Sequence, residues 1–163
     1  MPPIDGGCIA INNITQGLLD SGQEVKVVSI ETPKHPVKME AFPLDYLRVT
    51  HFEPVFVDTT PKVKAALKAF LQGHAYQIAR FYSKSMTSKL KQILEHETFD
   101  IIHIESIYMA SYIDLIRKYS NAKIILRLHN IEHQIWERLA DNEHWPLKKI
   151  LYNMVARQIK KYE

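Results

Sequence analysis

Two groups of residues in this chain could do chemistry. The first is Asp5-Gly6-Gly7, set just ahead of Cys8–Ser21, a segment with helical spacing. A glycine pair opening a helix lets backbone N–H groups approach an oxyanion, and the helix dipole favours that charge. The bland alternative is a plain tight turn. Neither G-x-G-x-x-G nor a Walker lysine accompanies the pair, which argues against a dinucleotide or P-loop site. The second group is Glu105-Ser106 with His129-Asn130 and Glu132. His129 directly follows an apolar, strand-like run. An imidazole there can hydrogen-bond a hydroxyl or phosphate or move a proton, or it can serve as a structural cap. Glu105 has the same two readings, as a cleft-edge carboxylate or as a cap for the helix after it. His103 alternates with Ile102 and Ile104 and reads as structural.

His129-Asn130-Ile131-Glu132-His133 also matches H-x-x-E-H, the inverted zinc-peptidase signature. That chemistry needs both histidines on one helical face with Glu132 as base. The strand before His129 places this residue outside the helix, so a zinc peptidase is the weaker alternative, and no residue is assigned as a metal ligand.

The elements that must position these residues follow from periodicity. Cys8, Ile11, Ile14, Thr15 and Leu18 share one helical face, and Gly22 fits the stop. Glu24–Ile30 reads as a strand buried on both faces. Thr32–Pro43 reads as loop, and Asp45–Val57 as a β-prone stretch broken by Pro54. Thr60-Pro61 starts a helix, Gly73-His74 ends it, and a longer helix is expected over Ala75–His96. Strands at Phe99–Glu105 and Lys123–Leu128 flank a helix at Ile107–Tyr119. One helix follows His129-Asn130, and another starts at Pro146.

Strands alternating with helices predict an α/β fold, a Rossmann-like doubly wound parallel sheet, in one domain over residues 1–163. In that topology a central strand precedes the glycine turn. Only Met1, two prolines and two more residues stand there, so the first strand is expected to be missing. It would leave a gap between Glu24–Ile30 and Phe99–Glu105. An excised segment, a lost N-terminal stretch, or another chain, as in a homodimer completing the sheet, would each explain it. Ligands in such sheets bind beyond the carboxyl ends of the strands, where Asp5-Gly6-Gly7, Glu105-Ser106 and His129-Asn130 converge.

At 163 residues with 46% apolar content the chain can bury a sizeable core. No apolar run approaches the roughly 20 residues of a membrane span, and no signal peptide is visible. Cys8 is alone, which rules out a disulfide framework and makes a cytoplasmic chain the simple reading. The net charge of +3 is unevenly spread. From Thr59 to Leu94 there is no Asp or Glu, against Lys62, Lys64, Lys68, Arg80, Lys84, Lys89 and Lys91. Tyr76, Phe81 and Tyr82 lie among these charges. Such a stretch is either a solvated face or a contact for an anionic membrane or lipid-diphosphate acceptor at the inner face of the membrane. Nucleic acid is disfavoured as a partner, because no recognition motif accompanies the charge.

Three segments together carry a family resemblance. They are Pro3-Ile4-Asp5-Gly6-Gly7 with the helix and strand through Leu18–Val28, then Phe99-Asp100-Ile101-Ile102-His103, then Leu126-Arg127-Leu128-His129-Asn130-Ile131-Glu132. In order, and over nearly the whole chain, they resemble the N-terminal, acceptor-side domain of retaining GT-B glycosyltransferases of the family 4 (group 1) type. The resemblance implies transfer of a sugar, with retention, from a UDP- or GDP-sugar to a glycan or lipid-linked acceptor, as in polysaccharide biosynthesis. It implies a nucleotide-sugar co-substrate, no cofactor and no essential metal. Gly6 and Gly7 would approach the donor diphosphate, and His129 the donor sugar as the catalytic residue. Asp5, Glu105, Ser106, Asn130 and Glu132 would lie at the acceptor or cleft edge. Separately from the resemblance, the charge distribution makes Lys62, Lys64, Lys68, Arg80 and Lys84 the candidates for contact with an anionic surface. The C-terminal donor-binding domain of that family is absent from these residues, so the isolated chain is expected to be inactive. A stand-alone α/β binding module is the rival reading.

Overall fold

A computed structural model describes residues 6–71, 73 and 75–163; the side chains of residues 67, 68, 70 and 71 are outside that description. The fold is mixed α/β. The described residues form two compact units, one through Asp58 and the other from Thr59.

The first unit holds helix α1 (Gly6–Asp20), strand β1 (Val28–Glu31), helix α2 (Leu44–Val49) and strand β2 (Glu53–Phe56). Gly22 ends α1 as expected. Its φ of 75° lets Gln23 N–H donate to Leu18 O at 3.0 Å and Gly22 N–H to Leu19 O at 2.9 Å, the paired closure glycine permits. β1 and β2 pair in parallel, Val28 with Glu53 and Ser29 with Pro54. Proline has no N–H to give to a ladder, which suits a strand with one unpaired edge.

The β-prone reading of Asp45–Val57 holds only for its second half. Leu44–Val49 is helical because a helical turn brings Tyr46 back onto Phe42 (ring centroids 6.0 Å apart), and Phe42 packs against the tilted ring of Phe52 at 5.0 Å. The Thr50 hydroxyl closes the turn by donating to Tyr46 O at 2.6 Å. This aromatic packing overrides the strand propensity of Tyr46, Leu47 and Val49.

The second unit runs α3 (Val63–Leu71), α4 (Tyr76–Ala79), α5 (Lys84–His96), β3 (Ile101–Glu105), a 3-10 turn (Ile107–Tyr112), α6 (Ile113–Tyr119), β4 (Lys123–Arg127), α7 (Glu132–Asp141) and α8 (Pro146–Tyr162). The long helix expected over Ala75–His96 is broken at Arg80–Ser83. Tyr112, 1% exposed, reaches this break with its hydroxyl: it donates to Phe81 O at 2.8 Å and accepts from Ser83 N–H at 2.9 Å. Those two backbone groups are thereby satisfied outside a helix. Ser83 then caps α5, its Oγ accepting from Met86 N–H at 3.1 Å.

β3 and β4 pair in parallel, Ile101 with Lys123 through Glu105 with Arg127, and the 3-10 turn and α6 make the crossover. Apolar as the Lys123–Leu128 run is, Ile125, Leu126 and Leu128 are exposed, as is Ile101. A two-stranded sheet is too narrow to cover both faces of its strands. The core lies instead where Ile78, Ile107 and Ile159 meet, with Tyr108, Trp136 and Val155 packed against them. Trp136 meets Tyr152 edge to face at 5.7 Å and joins α7 to α8. No helix among the described residues is long and apolar enough to cross a membrane.

Candidate functional site

Side chains alternate along a strand, so His103 and Glu105 share one face of β3. The parallel register sets Arg127 beside Glu105 at the carboxyl ends of the two strands. Glu105 Oε2 lies 2.9 Å from Arg127 Nε and 2.9 Å from His129 Nε2, while Oε1 is 3.8 Å from His103 Nε2. About a fifth to a quarter of each of these four side chains is exposed, at 27%, 21%, 27% and 21% for His103, Glu105, Arg127 and His129. One carboxylate thus holds a guanidinium and an imidazole in place while water still reaches the group. A neutral His129 ring that donates its Nε2–H to Glu105 presents Nδ1 as an acceptor for a ligand hydroxyl; a charged ring presents a second donor for a phosphate.

Ser106, directly after Glu105, has φ 80° and ψ 144°, a region that side chains rarely occupy. Its N–H donates to Arg127 O at 2.9 Å, so the strained residue ties the two strand ends together. Its Oγ caps the 3-10 turn at Tyr108 N–H. Strain at the carboxyl end of a strand, next to a charged cluster, is the sort of local cost that functional sites carry.

A second polar group stands at the start of α7. Glu132 Oε2 accepts from Tyr108 Oη at 2.9 Å. Burial, and then the negative charge of Glu132, push the Tyr108 hydroxyl well above its ordinary pKa. The Tyr108 ring stacks on Phe81 at 4.7 Å, and the Arg80 guanidinium covers the Phe81 ring at 5.4 Å with its Nε buried. Glu163 reaches the same helix end. Its Oε1 accepts from Glu132 N–H at 2.7 Å, and its Oε2 pairs with His133 Nδ1. A carboxylate of the chain itself therefore occupies the N-terminus of α7, where a ligand anion would otherwise be favoured.

Of the residues singled out from sequence, Glu105, Ser106 and His129 come together. Glu132 turns to Tyr108, and Asn130 is exposed in the bend after β4. The H-x-x-E-H geometry does not form. His129 lies outside α7 on Glu105, His133 lies in its first turn on Glu163, and Glu132 bonds Tyr108. Among the described residues, no three His, Cys, Asp or Glu side chains are arranged to hold a metal ion. Gly6 and Gly7 belong to the first unit and stand in the first turn of α1 rather than in a turn ahead of it; a Cβ at Gly6 would meet nothing within 4 Å. Asp5 lies outside the described residues, as does the side chain of Lys68. Lys62, Lys64 and Lys84 are exposed, Lys62 N–H donating to Tyr76 Oη at 2.7 Å, whereas Arg80 is partly buried against Phe81.

Arg127, Tyr108 and Glu163 were not anticipated, and His133 was weighed only in the zinc-peptidase match, not as a partner of Glu163. Arg127 had a readable signal, because His-x-Glu and Arg-x-His end successive parallel strands and equal phase puts all four on one edge. Tyr108 and the His133–Glu163 pair had none, since each bond spans 24 or more residues.

No family model matches this chain, and neither a curated protein nor a solved structure matches it.

Proposed function

We propose that this chain is the Rossmann-like, acceptor-side half of a retaining GT-B glycosyltransferase. The full-length enzyme takes a sugar from a UDP- or GDP-sugar to a glycan or lipid-linked acceptor at the cytoplasmic face of a membrane, and this half alone does not turn over. The observation that carries the reading is the Glu105–His129 pair with Arg127 at the carboxyl ends of β3 and β4. Open α/β sheets bind their ligands at that edge. The motif order quoted above supplies the reaction class, which a site of this kind alone does not.

In this reading His129 meets the hydroxyls of the donor sugar, and Glu105 fixes the tilt of its ring. Arg127 holds the Glu105 carboxylate aimed at the ring through the 2.9 Å contact of its Nε. The glycosidic bond to the diphosphate breaks with its electron pair leaving on phosphate. The acceptor oxygen bonds to the anomeric carbon, and the acceptor proton passes to an oxygen of the leaving diphosphate. Fixed donors around the leaving diphosphate lower the barrier without covalent participation by the protein.

The test is transfer from radiolabelled UDP- and GDP-sugars into membrane lipid or glycan, by protein made from the complete reading frame. Transfer from at least one donor is expected. His129→Ala should lower it by about a hundredfold or more while the unfolding temperature stays put. Absence of transfer from every donor, or unchanged turnover in His129→Ala, overturns the proposal and leaves the α/β binding module.

A further inference from the structure

Helix α8 buries one side and leaves a second apolar side bare. Ala156 and Ile159 are buried, Val155 packs on the core, and Tyr152 meets Trp136. On another side Leu147, Ile150 and Leu151, at the i, i+3, i+4 spacing of a helical stripe, are 78%, 56% and 48% exposed. Trp145, just before the helix, is 68% exposed, and Tyr162 at its other end is exposed as well. Between Pro146 and Tyr162 there are five cations, Lys148, Lys149, Arg157, Lys160 and Lys161, and no acid. Among the described residues only Lys148 is paired, with Glu143 at 4.0 Å.

An apolar stripe, a cationic remainder and aromatic rings at both ends suit a helix lying in the headgroup layer of a bilayer. The charge also discriminates between occupants. A second copy would bring two acid-free cationic helices face to face, whereas anionic headgroups neutralise them. We propose that α8 docks lengthwise on a bilayer surface bearing anionic lipid, inserting Leu147, Ile150, Leu151 and Trp145. The proposal depends neither on the glycosyltransferase reading nor on the Thr59–Leu94 stretch, and its test involves no sugar.

The test is flotation of the 163-residue chain with vesicles of phosphatidylcholine, alone or with about a third phosphatidylglycerol. Binding to the anionic vesicles is expected, weakened about tenfold when salt rises from about 0.05 to about 0.5 M. Leu147→Glu/Ile150→Glu should cut binding by about tenfold or more with an unchanged unfolding temperature, because both residues are exposed. Trp145→Phe should remove the lipid-induced blue shift of tryptophan emission. Absence of flotation at low salt overturns the proposal, as does undiminished flotation of the double glutamate variant. Loss of flotation only on Lys62→Glu/Lys64→Glu moves the contact to the other basic stretch and refutes the role of α8. A lipid-free dimer that Leu147→Glu/Ile150→Glu dissociates identifies a second copy as the cover and also refutes it.

Discussion

Replacing Tyr112 by phenylalanine isolates one hydroxyl that shapes the second unit. The ring stays, and with it the stack on Tyr82 at 5.4 Å. What is lost is an acceptor for Ser83 N–H and a donor to Phe81 O, at 2.9 and 2.8 Å. Leaving a buried backbone group without a partner costs about 1–3 kcal/mol. Both groups are only partly buried, so the low end applies to each and the total comes to about 2 kcal/mol. At a urea slope of about 2 kcal/mol/M the midpoint should fall by about 1 M. Both tryptophans, Trp136 and Trp145, lie in this unit, so their fluorescence follows its unfolding. A midpoint shift below about 0.3 M, with the native spectrum retained, would refute the assignment of the helix break to this hydroxyl.

Two further outcomes are expected. Ser106→Gly removes a φ of 80° at the cost of a weak cap to Tyr108 N–H and extra freedom in the unfolded chain, so a net gain of about 1 kcal/mol should raise the urea midpoint; a fall would show that the Ser106 backbone is not strained. Burial is the leading cause that raises the pKa of Tyr46, Tyr108 and Tyr112 above the ordinary 10.0. The unfolded chain therefore sheds these protons first, so stability is full below pH 10.0 and declines as pH climbs past it. Absorbance at the tyrosinate band should titrate later in the native protein than in denaturant, and coincident curves would contradict the burial of these rings.

Much of the layout was legible because its signals are local. Gly22 at a helix end, Pro146 at a helix start and the isoleucine-rich runs before Glu105 and Arg127 each act within a turn or a strand. The position of Glu105 and His129 at strand ends follows from the same local reading. What escaped depends on distant partners. The break at Arg80–Ser83 is set by a hydroxyl about thirty residues on, and α2 exists because Phe42 and Phe52 give Tyr46 somewhere to pack. The failure of the zinc-peptidase match, by contrast, was legible locally, because the strand ending just before His129 keeps that residue out of α7.

The two parallel strand pairs bear on how the chain acquires its structure. Val28 pairs with Glu53 and Ile101 with Lys123, so each pairing closes a loop of only about two dozen residues, and neither needs the other. Short closures of equal size cost similar entropy, and parallel pairing, usually slow, is here a neighbourhood event. A nascent chain could set its first pair while the second was still being synthesised.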